Sequence, residues 1–334
     1  MNSQNTEATE SVTENRRVAG LLGFLLKGEV DAAFQQQPFK TTDGRDPLEV
    51  WQSLDRERQG LSSHVPGMAE AIPVSLQSVA AEIASRSNFK KHYQAVADYS
   101  FAQVPIDSLI APQCWADVDY IQELATQLGL NPSAETQMQF AFAEGRISAP
   151  IVTANQVQFI SPCRDLYADP IPAIKETSPG SFEIVVHAAS RPNYVQVALI
   201  DGRLVLTNGV HKVCALYTTG FKTCFCLIRT AANLQEAGLN PQLTTLFRDA
   251  LFRSARPALV RDFLDPRVAA SLHLRSMYQI MQVSINVGIF QVPALPIHTK
   301  LIKSDSIYSR ADHDEAYGHE RLTINEPATV DLRV

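Results

Sequence analysis

The stretch Val195–Arg229, VQVALIDGRLVLTNGVHKVCALYTTGFKTCFCLIR, constrains the fold more than any other part of the chain. Val195, Val197 and Leu199 alternate with polar or small residues, the period of a half-buried strand. Asp201-Gly202 is a two-residue hairpin signal, because tight primed turns need positive φ and glycine accepts it without steric cost. Leu204, Val205 and Leu206 form the return strand, and Val210, Val213, Leu216 and Tyr217 then recur at helical spacing. Gly220 stands where a helix ends in a left-handed residue, and Phe221–Ile228 reads as a last, buried strand. The order is strand, turn, strand, helix, strand.

The chemistry of this segment lies at its strand-to-helix junction, Thr207–Lys212. Thr207 and Asn208 carry short side-chain oxygens of the kind that cap a helix. Gly209 leaves the backbone open to close approach, and the free N–H groups of a first helical turn favour negative charge. His211 and Lys212 place two basic groups where acids are normally preferred. One reading is a phosphate cradle in which Gly209 admits the anion, Lys212 neutralises it, His211 donates a hydrogen bond and Asn208 caps. The ordinary reading is a capped helix with a solvated lysine.

Three further segments stand upstream in a fixed order. Val104–Ile110, VPIDSLI, reads as strand and turn, Tyr120–Leu130 as a helix, and Gly145–Val152, GRISAPIV, as turn and strand. With Asn208-Gly209-Val210-His211-Lys212 these segments resemble the ParB/sulfiredoxin-like superfamily over about residues 101–229. The resemblance implies an α+β fold, a mixed sheet with helices. It also implies CTP or ATP, with magnesium, at the junction motif, and in some relatives phosphate transfer or cleavage. Acidic residues near the phosphates serve such relatives as base or magnesium ligand, which makes Glu144 the candidate catalytic acid; its ordinary reading is an exposed helix-end residue. The chain departs from the family pattern at Lys212, where arginine is usual, and at Gln113-Cys114-Trp115; Ala154–Tyr194 is a long insertion. Lysine keeps the charge but loses bidentate recognition.

The net charge of −6 argues against a dominant nucleic-acid face, and no helix rich in Arg, Asn and Gln follows the core. Arg248, Arg253, Arg256 and Arg261 are scattered among Asp249, Asp262 and Asp265, which predicts salt-bridged packing rather than phosphate contact. Five cysteines without framework spacing suit a reducing compartment, and Cys214, Cys224 and Cys226 read as small buried hydrophobes rather than a redox or zinc set. Val18–Leu26 is far too short to span a bilayer, so the expectation is a cytoplasmic protein with no transmembrane segment.

Around the 101–229 core, residues 1–15 are expected to be a disordered leader, 16–100 a helical N-terminal region, 230–296 helices and strands packed on the core, and 297–334 a polar tail. Val18, Leu21, Leu22, Leu25 and Leu26 make an apolar stripe, so Arg16–Gln36 reads as an amphipathic helix. Either it docks on the chain's own core, or it is detachable and engages a protein partner or a second copy. Val74–Ser100 reads as one helix, Thr230–Ala270 as helical, and Tyr278–Ile285 as a strand that extends the central sheet. His187, Asp165, Asp169 and the tail histidines His298, His313 and His319 are weaker metal or site candidates and are read as ordinary surface or core groups.

Three functions follow. The first is a regulatory protein whose conformation or assembly responds to a nucleotide or phosphate ligand at Thr207–Lys212. The second is a non-catalytic interaction or assembly module with a degenerate pocket, which uses the N-terminal amphipathic helix Arg16–Gln36. The third is a small phosphotransferase or nuclease that uses Glu144.

Overall fold

The computed structural model describes residues 15–36, 39–93, 98–144, 150–153, 156–161, 166–168, 173–179, 181–186, 188–190, 192–239, 249–275 and 279–284. In chain order the strands are β1 (Asn15–Gly20), β2 (Lys40–Thr41), β3 (Glu70–Ala71), β4 (Ser100–Pro105), β5 (Trp115–Asp117), β6 (Ile151–Val152), β7 (Gln156–Ser161), β8 (Leu166–Ala168), β9 (Ala173–Ser178), β10 (Ser181–Val185), β11 (Ala188–Ser190), β12 (Gln196–Ile200), β13 (Arg203–Asn208), β14 (Thr223–Thr230), β15 (Ala270–Arg275) and β16 (Gln279–Ser284). The helices are α1 (Lys27–Gln36), α2 (Pro47–Gln59), α3 (Gln77–Ser85), α4 (Ser87–Tyr93), α5 (Val118–Leu128), α6 (Ala134–Ala141), α7 (Val210–Thr218) and α8 (Asp249–Phe252). The fold class is α+β, and the chain divides into a larger unit (Met1–Ile147, Ser161–Asp165, Ser190–Gln279) and a smaller one (Ser148–Ile160, Leu166–Ala189, Ile280–Val334).

Val195–Arg229 builds the centre of the larger unit. Asp201 and Gly202 both have positive φ, 49° and 74°, which turns β12 tightly into β13. Helix α7 then carries the chain over to β14, which lies parallel to β12 on the side away from β13. The five strands run in the order β13-β12-β14-β4-β3. Val197, Leu204 and Leu206 enter the main core, whereas Ala198, Ile200 and Val205 enter a second core with Leu234, Ala237, Leu239, Phe252 and Leu259. Both faces of this hairpin are therefore covered, which explains its nearly continuous apolar runs.

The N-terminal region corrects a sequence expectation. Arg16–Gln36 is not one amphipathic helix. Its first residues belong to β1, a short 3-10 turn covers Leu22–Phe24, and only Lys27–Gln36 is α-helical. Strand β1 lies inside a four-stranded sheet, order β2-β15-β1-β5, and pairs with β15 from Asn15↔Arg275 to Gly20↔Ala270. Val18, Leu21, Leu22 and Leu25 are buried in the main core. The apolar stripe is real, but non-local pairing overrides its helical spacing. A detachable partner-binding helix is thus excluded by the burial of the residues that would carry it.

Other boundaries shift as well. Val74–Ser100 is interrupted at Arg86, whose backbone is extended, and β4 begins at Ser100. The region read as helical after Thr230 holds α8, a 3-10 turn over Val260–Leu264 and then β15, with 240–248 outside the described residues. Strand β16 joins a sheet of order β16-β7-β6 rather than the central one.

Within the smaller unit, β9 and β10 form a two-stranded antiparallel hairpin. Ile184 lies opposite Ile174, and Phe182 is two residues along on the same face. All three are more than half exposed, at 60%, 52% and 65%. Lys175 faces Glu183 across the other side.

Candidate functional site

The junction between β13 and α7 is set by packing on β12. Pairing passes from Gln196↔Asn208 to Val197↔Leu206, so Thr207 is the extra residue of a bulge. Asn208 Oδ1 accepts from the Gly209 N–H at 2.9 Å. The position that caps the helix is Gly209 itself, with φ 90° and no side-chain cap, so Thr207 and Asn208 do not play the capping role expected of them. A Cβ at Gly209 would stand 2.9 Å from the Val195 Cα and 3.0 Å from its Cγ2. The absent side chain therefore lets α7 start directly against β12; that face of the glycine is filled by protein.

His211 and Lys212 leave the first turn of α7 toward different partners. Lys212 is only 4% exposed. Its Nζ donates to the carbonyl oxygens of Asn193 at 2.6 Å, Ala143 at 2.8 Å and Ala141 at 3.3 Å. Ala141 ends α6, so the ammonium sits at the negative end of that helix, where last-turn carbonyls lack intrahelical partners. The charge that the sequence offers to a ligand is spent on the chain's own backbone. Lys212 thereby ties the end of α6 to the segment that enters β12.

The imidazole of His211 lies at the start of α5. Its Nε2 accepts from the Asp117 backbone N–H at 3.0 Å, which puts the proton of the neutral ring on Nδ1. Tyr120 meets the ring edge to face, with centroids 5.3 Å apart. Burial holds the His211 pKa below its ordinary value; the Asp117 carboxylate opposes this and Arg16 adds to it. Asp117 caps α5 by accepting from the Tyr120 N–H at 2.8 Å and pairs with Arg16 Nη1 at 3.0 Å. The surroundings of His211 are thus already charge-balanced.

Glu144 lies close to the Lys212 carbonyl cluster in sequence, one residue after Ala143. Its two carboxylate oxygens accept from Tyr194 Oη and Asn88 Nδ2, each at 2.8 Å. Tyr194 packs within an aromatic cluster of Phe89, Tyr93 and Phe142. The acid and the lysine therefore meet the same stretch of chain, but each is committed to a structural bond there. Gly145–Ala149, His187, Asp165, Asp169 and the tail histidines lie outside the described residues. Among the described residues, no group of three His, Cys, Asp or Glu side chains is placed to hold a metal ion. No helix of the described residues is long and apolar enough to cross a membrane.

Arg253, Arg256 and Arg261 are ion-paired, but only Arg256 takes its partner from the acids scattered near it, and Arg248 lies outside the described residues. Arg256 forks the buried Asp262 at 3.0 and 2.7 Å, Arg261 reaches Asp107 at 2.9 Å and Arg253 reaches Asp201 at 3.1 Å. Sequence reasoning missed the Asp107 partner, which comes from a turn more than 150 residues upstream of Arg261. It also missed Arg16 and Asp117 as neighbours of His211, since no local pattern joins them. No protein-family model matches this chain, nor does any curated protein or solved structure.

Proposed function

We propose that this chain is a non-catalytic, ParB-like assembly module whose nucleotide pocket is closed by its own backbone. The observation that carries this reading is the Lys212 ammonium, held by three carbonyl oxygens at the place where a phosphate would need it. The packing of Gly209 against Val195 supports it from the other side of the junction. Nucleotide binding at Thr207–Lys212 would require the lysine to leave the end of α6, and Glu144 to leave Tyr194 and Asn88 before it could act as base or magnesium ligand.

Assembly in this reading is between copies of the chain and uses the β9–β10 hairpin. Two-stranded hairpins are marginal alone, and a second copy would cover Ile174, Phe182 and Ile184, which are more than half exposed among the described residues. Two measurements test the proposal. Titration with CTP, ATP and GTP in the presence of magnesium is expected to give no heat. Light scattering is expected to show an oligomer that Phe182→Glu converts to monomer. Tight CTP or ATP binding that Lys212→Ala abolishes would restore the regulatory reading, and a monomer at all concentrations would remove self-assembly.

A further inference from the structure

Between α2 and the 3-10 turn Val74–Leu76 the chain crosses the larger unit as a strap, residues 61–73, most of which faces solvent. Val65 is 75% exposed and Met68 82%, so the middle of the strap gives little to the core. Its ties converge on His64. The His64 backbone N–H donates to the Ala255 carbonyl at 2.7 Å, and the ring Nε2 donates to the Ser108 carbonyl at 3.1 Å. Gly67 lies against the same turn: a Cβ there would collide with Pro105 Cγ and stand 2.6 Å from Ser108 Oγ. Beyond it, Glu70 and Ala71 form β3, paired with Gln103 and Ala102 at the outer edge of the five-stranded sheet.

Because a carbonyl only accepts, the His64 proton is on Nε2, and the neutral ring is bare at Nδ1. A second proton would keep the Ser108 bond but place a full charge on a half-buried ring. The charged groups of this region are Arg203 from β13, Arg256 from the segment after α8, Arg261 and Asp262 from the 3-10 turn Val260–Leu264, and Asp107 from the turn after β4. Arg203 donates to the carbonyls of Phe252 and Ser254. Asp262 is forked by Arg256, and Asp107 accepts from Arg261 and Tyr217. Both acids are thus engaged by guanidinium groups, which leaves neither to neutralise an imidazolium at His64. Burial, and after it the three arginines, hold the His64 pKa below its ordinary value against the opposing pull of the Ser108 carbonyl.

We propose that residues 61–73 are an acid-released strap: at neutral pH His64 latches it to the turn at Ser108, and protonation of the ring lifts it and uncovers the edge of β4 at Ala102 and Gln103. This goes beyond the assembly reading and does not depend on it.

Hydrogen exchange of the full chain, read by mass spectrometry and corrected for the intrinsic pH dependence of amide exchange, tests the latch at about pH 7.5 and about pH 5.5. Peptides covering residues 61–73 are expected to lose protection on acidification, by up to about tenfold per pH unit. His64→Gln retains an amide nitrogen to donate to Ser108 and cannot take a second proton, so its strap is expected to hold the same protection at both pH values. His211→Gln, which acts on the stability of the whole fold, is expected to leave the strap's loss unchanged. Circular dichroism establishes that His64→Gln is folded; if it is not, the comparison of wild type with His211→Gln decides. Equal strap protection at the two pH values in the wild-type chain, the same loss in folded His64→Gln, or abolition of the loss by His211→Gln would each overturn the proposal.

Discussion

The backbone N–H of Asp117 donates to Nε2 of His211 across 3.0 Å, joining the start of α5 to the start of α7. The bond requires a neutral imidazole, because a protonated ring has no acceptor nitrogen. Burial lowers the His211 pKa in the fold, so below about pH 6.5 the unfolded chain takes up a proton that the folded chain does not. Its contribution to stability is therefore complete above the unfolded value and is lost as pH falls toward the folded one. Urea denaturation between pH 8 and pH 5 is expected to show this decline, by at most about 1.4 kcal/mol per pH unit from this residue. His211→Gln should make the profile shallower. His64, also held below its ordinary value by burial, retains its own share of the slope.

Lys212 predicts a stability effect rather than a binding effect. Lys212→Met removes a buried cation and leaves the carbonyls of Ala141, Ala143 and Asn193 without that donor. The expected cost is about 2–4 kcal/mol, measured by urea denaturation. Lys212→Arg keeps the charge but forces a planar fork into a site shaped for a compact ammonium, so it should not rescue fully. Wild-type stability in Lys212→Met would contradict the staple.

Two glycines with positive φ should respond differently to alanine. At Gly202 nothing lies within 4 Å of the added carbon, so only backbone strain applies, about 1–2 kcal/mol. At Gly209 the same strain is joined by contact with the Val195 backbone, for a total of about 3–4 kcal/mol. Paired denaturation curves of the two variants check the order.

Cys114, Cys214, Cys224 and Cys226 are buried thiols outside any disulfide. Burial pushes Cys224 up to about 12 and raises Cys214 and Cys226 as well, so none of these three carries a useful fraction of thiolate near neutrality. A thiol-specific reagent is expected to modify these four only after denaturant is added. Rapid labelling of Cys214 in the native protein would show that α7 opens.

What the sequence makes legible follows from how far apart the partners lie. The β12–β13 hairpin, α7 and β14 are consecutive, and their turn chemistry and spacing are local, so Val195–Arg229 folds in the order its pattern predicts. Strand β1 was hidden because Val18, Leu21, Leu22 and Leu25 fit a helical stripe as well as they fit burial beside β15. Ala270, Leu272 and Leu274 do alternate, and that was the available signal for β15. The fate of Lys212 could not be read at all: its carbonyl partners lie 19 to 71 residues upstream and carry no side-chain signature.

The placement of β1 between β5 and β15 also bears on synthesis. Its pairing with Trp115–Asp117 spans about a hundred residues, but its longer edge waits for Ala270–Arg275. At translation rates of about 5–20 residues per second, the nascent chain leaves that edge open for on the order of ten seconds after β5 emerges. Among the described strands β1 leaves the ribosome first and is among the last to be sealed, and a chaperone that shields Arg16–Gly20 during this interval would raise the yield of folded protein.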